Sequence, residues 1–265
     1  MNFDKLNKQY EALHGAYERK SVQILVKEFR KIGRKIPFDN LTFDNAEIVI
    51  GLNMFPEDFL YKIHWAVGKH YGNLEYQRMK REEVKLNIPQ EKRRPSYPLF
   101  NKAFQLFLLE YYAKYGGTKI TLLTDTYAKA VADEIIKGTK ENETLDEMRK
   151  RIQKAVDSPN FYKWQALRIA RTETTFAMNA AKAQIPMNPR LTYDKVWSSA
   201  LDKRTRPSHF MADMQKVAEG EKFLVGDSRM EYPGDPTAEV QELVNCRCAW
   251  YRQIRVDEDG LPILN

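Results

Sequence analysis

Two cysteines, Cys246 and Cys248, stand one residue apart in VNCRCAW, and the chain has no others. In an extended segment, side chains two apart share a face, so both sulfurs point to one place. The spacing is unsuited to an ordinary disulfide. It suits a shared partner: a metal ion, a polar knot or a small buried patch. Of the four histidines, His14, His64 and His70 fall in a helical half. That leaves His209, in DKRTRPSHF, as the one that chain position brings near the cysteines. The same stretch supplies Asp202, Arg204 and Arg206, and Pro207 is placed to start a helical turn. A further group lies in ARTETTFAMNAA, where Arg171, Thr175 and Asn179 fall at i, i+4 and i+8 on one helix stripe, with Glu173 nearby. Such residues tie a helix to neighbouring loops through hydrogen bonds, or bind a partner.

The elements that must position these groups follow from periodicity. Apolar residues at Leu6, Tyr10, Leu13, Tyr17, Leu25, Phe29 and Ile32 predict a long amphipathic helix over 3–35, or two meeting near Ser21. PFDNLTFDN breaks it. A second helix is expected just after Phe55, with Pro56 at its first position and Glu57 and Asp58 at its positive end, weakened in the middle by Gly68 and Gly72. A proline-containing segment with Pro89, Pro95 and Pro98 reads as a linker. Helices over 99–115 and 124–138 follow. Thr144 and Glu147 then form a capping box, and Ser158 with Pro159 opens a helix to Gln184. From Asn188 on, prolines, glycines and short apolar runs replace the helical pattern, and KVWSSAL and CAWYRQIRV suit strands.

Bulk properties narrow the function classes. At 31.1 kDa, with 43% hydrophobic and 30% charged residues, the chain has the composition of a soluble globular protein, without an 18-residue apolar run or a secretory leader pattern. Two cysteines make no disulfide framework, which suits a reducing compartment such as a cytoplasm. The formal charge is +7, and the excess sits before residue 160, with 28 basic against 22 acidic side chains. Its densest run, residues 78–94, has seven basic and three acidic residues. Arg78, Lys80, Arg81, Arg93 and Arg94 of that run are candidate contacts to a nucleic-acid backbone. A solvated helix and loop laced with opposite charges is the other reading.

The motif order R-T-E-T (Arg171–Thr174), W-x-x-x-x-D-x-R-T-R-x-x-H (Trp197 through Asp202 to His209), P-G-D-P (Pro233–Pro236) and N-C-R-C (Asn245–Cys248) resembles the phage head morphogenesis family, the minor head proteins similar to protein F of phage Mu. The resemblance covers about residues 165–250. Members often have glycine after the aspartate matching Asp213, where this chain has Met214. Some also have C-x-x-C in place of Arg206 and His209, and a histidine where this chain has Leu243. Those members have a four-ligand zinc site; here His209, Cys246 and Cys248 remain as ligands, with Asp202 or a water as a fourth. The alternative is a polar knot in which Asp202 pairs with Arg206 and His209 packs beside two reduced thiols. In a third reading His209 and Asp202 are a general base and its partner.

The expected fold is α+β and predominantly helical: a helical N-terminal domain over 1–158, a small mixed α+β domain over 159–256 and a tail over 257–265. Arg171, Glu173, Asn179, Asp202, Arg206 and His209 form its structural polar motif, and no catalytic residue is assigned. The resemblance implies a non-enzymatic virion protein, assembled in the host cytoplasm and lying inside the phage head near the portal. Its implied partners are the portal, a major capsid or scaffolding protein, and double-stranded DNA bound without sequence preference, with no membrane. Its implied roles are in head assembly, DNA packaging or ejection. The alternative is a nuclease or toxin-like enzyme built on the same module; the 17 residues after Cys248 are expected to leave no room for an added effector domain.

Overall fold

The computed structural model describes residues 3–34, 60–88, 97–116, 129, 131–157 and 159–265. Five long helices come first: α1 (Phe3–Gly33), α2 (Tyr61–Lys85), α3 (Tyr97–Tyr111, continued by a π-helical turn over Tyr112–Gly116), α4 (Leu145–Asp157) and α5 (Pro159–Ala183). Residues 131–140 are also helical. Strand β1 (Tyr193–Ser198), helix α6 (Pro207–Met211), strands β2 (Lys216–Ala218), β3 (Phe223–Val225) and β4 (Ser228–Met230), helix α7 (Val240–Leu243) and strand β5 (Ala249–Ile254) follow. The expected α+β class, mostly helical with a small sheet at the C-terminal end, is what the chain adopts. No helix among the described residues is long and apolar enough to cross a membrane.

α1 is one continuous helix, without a break at Ser21. Pro98 lies in the first turn of α3 rather than in a linker, where a missing N–H costs nothing. Gly68 does not interrupt α2; a Cβ there would fall 2.2 Å from the Phe104 ring, so the missing side chain makes room for an aromatic. The capping box forms as expected: the Thr144 N–H donates to Glu147 at 2.8 Å, and Thr144 Oγ1 accepts from the Glu147 N–H at 3.4 Å. The turn at 37–45, the helix start at 56–58, Pro89 and Pro95, the start of the 124–138 helix and Ser158 lie outside the described residues.

The chain forms two compact units that interleave along the sequence. One comprises Met1–Arg19, Ile63–Phe107 and Ile169–Asn265; the other comprises Lys20–Lys62 and Leu108–Arg168. In the second, Leu25, Phe29, Leu108, Val131 and Ile152 are buried, and Arg151 pairs with Glu143 at 2.7 Å.

The first unit contains both sheets. Antiparallel β1 lies between β2 and β5, with Trp197 opposite Trp250 and Lys195 opposite Arg252, and β3 pairs with β4. β1 and all but one residue of β5 are buried, so the charged side chains they carry, Asp194, Lys195 and Arg252, are enclosed with them. α1 is stapled to this sheet: Asn7 Oδ1 accepts from Ser198 Oγ at 2.6 Å and from Tyr251 Oη at 3.0 Å. Residues 173–182 of α5 are all buried. A helix segment enclosed on every side must find a partner for each polar side chain it carries. That requirement builds the site.

Candidate functional site

The α5 side chains hydrogen-bond the chain around the cysteines in sequence. Thr172 Oγ1 accepts from the Asn245 N–H at 3.0 Å, and Thr175 Oγ1 donates to the Cys246 carbonyl. Asn179 Nδ2 donates to the Cys248 carbonyl at 3.0 Å, and Lys182 Nζ donates to the Trp250 carbonyl. From Thr175 onward, steps of four and three residues on the helix thus match steps of two from Cys246 to Cys248 and Trp250. The Trp250 carbonyl lies in β5, which pairs with β1, and those of Cys246 and Cys248 lie just ahead of it; all three are satisfied without another strand. Asn179 also donates to the Pro233 carbonyl at 3.1 Å, holding P-G-D-P against the helix. Gly234 has φ +88°, and a Cβ there would sit 3.2 Å from the Phe176 Cα, so both its conformation and its contact require glycine.

Asn245 takes φ +59°, a conformation asparagine tolerates better than most residues, and its Oδ1 accepts from Arg171 at 3.3 Å. Arg171 also binds Glu18 at 3.0 and 3.1 Å. Glu173 points elsewhere, to His64 Nε2 at 2.7 Å. His14 Nε2 meets Thr175 Oγ1 at 2.9 Å; burial, with Arg247 and Arg171 nearby, lowers its pKa to about 3. Lys182 is fully buried, 3.7 Å from Glu75 and 4.3 Å from the centre of the Tyr251 ring. Burial lowers its pKa to about 8 against the pull of Glu75.

Behind this ladder, both cysteines are free, buried and turned towards His209, whose Nδ1 lies 3.2 Å from Cys248 Sγ and 3.7 Å from Cys246 Sγ. Nε2 of the same ring lies 2.8 Å from Glu242 Oε2, which also accepts from Ser208 Oγ at 2.9 Å. A carboxylate only accepts, so Nε2 carries a hydrogen, and the other ring nitrogen, Nδ1, is turned to the two sulfurs. Trp197 packs edge-on against His209, and Ser199 Oγ donates to the His209 carbonyl. Hydrogen bonds from Cys246 and His209 outweigh burial and hold the Cys248 thiol below its ordinary range; the bond with Cys248, together with burial, pushes Cys246 up.

These three residues form the one cluster among the described residues whose donor atoms could hold a metal ion, all within 4.8 Å of one another. Tetrahedral nitrogen and sulfur ligands of zinc are separated by about 3.5 Å, which the two Nδ1–Sγ distances bracket. A carboxylate on the far ring nitrogen is the usual way to orient a metal-binding histidine.

Asp202 is neither a fourth ligand nor the partner of Arg206. It lies near the surface and binds Arg247 at 2.6 Å and Arg204 at 3.4 Å. The little burial it has works against ionisation, but these partners bring its pKa down to about 2. Without access to the imidazole it is not the partner of a general base either. Arg206 instead donates to the Val244 carbonyl. In the basic run, Arg78 is held by Glu75 and Glu82 at 2.8 and 2.9 Å, and Lys80 lies over the Tyr76 ring; Arg81 is exposed. Arg93 and Arg94 lie outside the described residues.

Glu242, Lys182 and His14 were not legible as site residues. The available signal for Glu242 was a carboxylate just ahead of N-C-R-C. For Lys182 it was the continuation of the stripe from Thr175 and Asn179.

The family model described as Phage Mu protein F like protein matches residues 125–251. No curated protein and no solved structure matches the chain. The matched segment begins upstream of the resemblance read from motifs, and it takes in α4, all of α5, β1 to β4, the first half of β5 and the cysteine cluster. Residues 125–251, just under half of the chain, are thus similar to the Phage Mu protein F like family, and the four motifs fall within them.

Proposed function

We propose that the protein is a minor head protein of a tailed phage. It joins the assembling head in low copy, contacts the portal, lies beside the packaged double-stranded DNA and acts structurally rather than as an enzyme. The family match carries this reading. The buried ladder between α5 and the N-C-R-C segment supports it, since the family motifs serve to lock a fold and the cysteines and His209 are closed to substrate. The test is peptide mass spectrometry of density-purified particles with the portal as internal standard, followed by portal binding. A low, fixed ratio to portal is expected. Absence from particles despite abundance in the lysate overturns the reading and directs attention to nuclease assays.

The ion suited to His209 Nδ1 and the two sulfurs is zinc, held as a structural ion with Glu242 orienting the imidazole. Protein purified without chelator is expected to carry about one zinc per chain and to lose thermal stability on chelation; Cys246→Ser abolishes both effects. Metal-free protein of unchanged stability favours the thiol–imidazole knot instead.

A further inference from the structure

α1 and α2 enclose a groove of about 560 Å³ whose lining includes Lys5, Gln9, Arg78, Arg81, Glu82 and Lys85. Glu82 is the one carboxylate on that lining, and it is turned onto Arg78, which also binds Glu75. Glu75 and Glu82 are matched by Arg78 and by Lys182, which lies 3.7 Å from Glu75, so these four charges balance within the protein. Arg81 and Lys85 are exposed and have no ion-pair partner among the described residues. They sit one helical turn apart, a rise of about 6 Å. Lys5, opposite them on α1, shares a second open concavity with Lys8 and one carboxylate, Asp4. Positive charge thus lines both walls.

The groove continues into a cleft of about 370 Å³ that shares Leu6, Gln9, Arg78 and Arg81 with it. The cleft is walled by Tyr10, Tyr71 and Tyr251, but each ring is at most 3% exposed and offers no stacking surface. Binding of single strands relies on exposed aromatic faces for the bases, whereas duplex binding needs only cations that follow the phosphates.

We infer that the α1/α2 groove is a binding site for the phosphodiester backbone of duplex DNA, with Arg81, Lys85 and Lys5 as its contacts. Of the contacts suggested by the basic run, Arg81 is kept, and Arg93 and Arg94 lie outside the described residues. Arg78 and Lys80 are engaged within the protein, and Lys5 and Lys85 come in from the groove walls. The inference deepens the head-protein reading, which supplies the DNA, but the groove's affinity can be measured independently of it.

The test is fluorescence anisotropy of the full chain with a random-sequence duplex of about 25 base pairs, between about 50 and 200 mM salt. Three phosphate contacts give a log–log salt slope near −3 and a roughly 40-fold loss of affinity over that range. Arg81→Gln with Lys85→Gln lowers the slope by about 2 units, and adding Lys5→Gln removes most of the remainder. Lys80→Gln leaves the slope unchanged. All substituted side chains lie at least partly at the surface, and circular dichroism with a melting curve checks that the variants fold. Unchanged affinity in the folded triple variant, an equal loss from Lys80→Gln, or tighter binding to a single strand of the same length overturns the inference. Groove-dependent binding by a protein missing from purified particles would refute the head-protein reading alone; a particle component without such binding would refute the groove alone.

Discussion

Residues 173–182 of α5 and the residues of α4 keep their places by opposite means. α4 buries Ile152, while its polar groups pair near the surface: Thr144 with Glu147, and Arg151 with Glu143. Remove one and water replaces it. The α5 segment is enclosed, and Thr175, Asn179 and Lys182 each answer a particular carbonyl. Removing one of these strands a desolvated group, at about 1–3 kcal/mol each. A helix of the first kind needs only apolar spacing, which many sequences supply. A helix of the second kind needs named residues at named positions, which is why the recognisable motifs gather around α5.

Substitution should separate the two kinds by size. Asn179→Leu strands the Pro233 carbonyl and weakens the hold on Cys248, and is expected to cost about 3 kcal/mol in urea unfolding. A cost below that of removing a helix cap would erase the distinction.

His14 sharpens it through pH. Its folded pKa is lowered to about 3 against an ordinary value near 6.5, so between those values the unfolded chain binds the extra proton and stability falls as the pH drops. The charged groups facing it are Glu18, Arg171 and Arg247. The loss reaches about 2 kcal/mol at pH 5. His14→Gln, which keeps a donor for Thr175 and cannot ionise, should flatten that slope; an unchanged acid limb would assign the loss to other groups.

Thr144→Ala, by contrast, should cost only about 1 kcal/mol, measured in the same unfolding assay. Smallest of all, Met214→Gly should raise stability by about 0.5 kcal/mol. Met214 has φ +59° and a half-exposed side chain, so relief of strain exceeds the added chain entropy.

Much of this was readable in residue order. β1 and β5 announced themselves by β-branched and aromatic runs, the cap by Thr144 and Glu147, and the α5 stripe by its spacing. Other features depend on which surfaces meet, which periodicity does not encode. An amphipathic α1 gives no sign that Asn7 joins Tyr251. Glu242 reads as a solvated charge until α7 is laid beside His209. Asp202 and Arg206 look like a pair by proximity along the chain, yet Arg247 is the partner because Asp202 faces the N-C-R-C segment.

The contact between Asn7 and Tyr251 spans 244 residues. At the usual rate of synthesis, α1 leaves the ribosome on the order of tens of seconds before the strand it packs against. Closure of so long a loop makes this packing a late event on the folding path. A nascent chain stalled before β5 would expose the apolar side of α1 throughout the delay, in reach of chaperones and proteases. Arrest of translation near residue 240 should therefore produce a far more protease-sensitive first helix than release of the full chain.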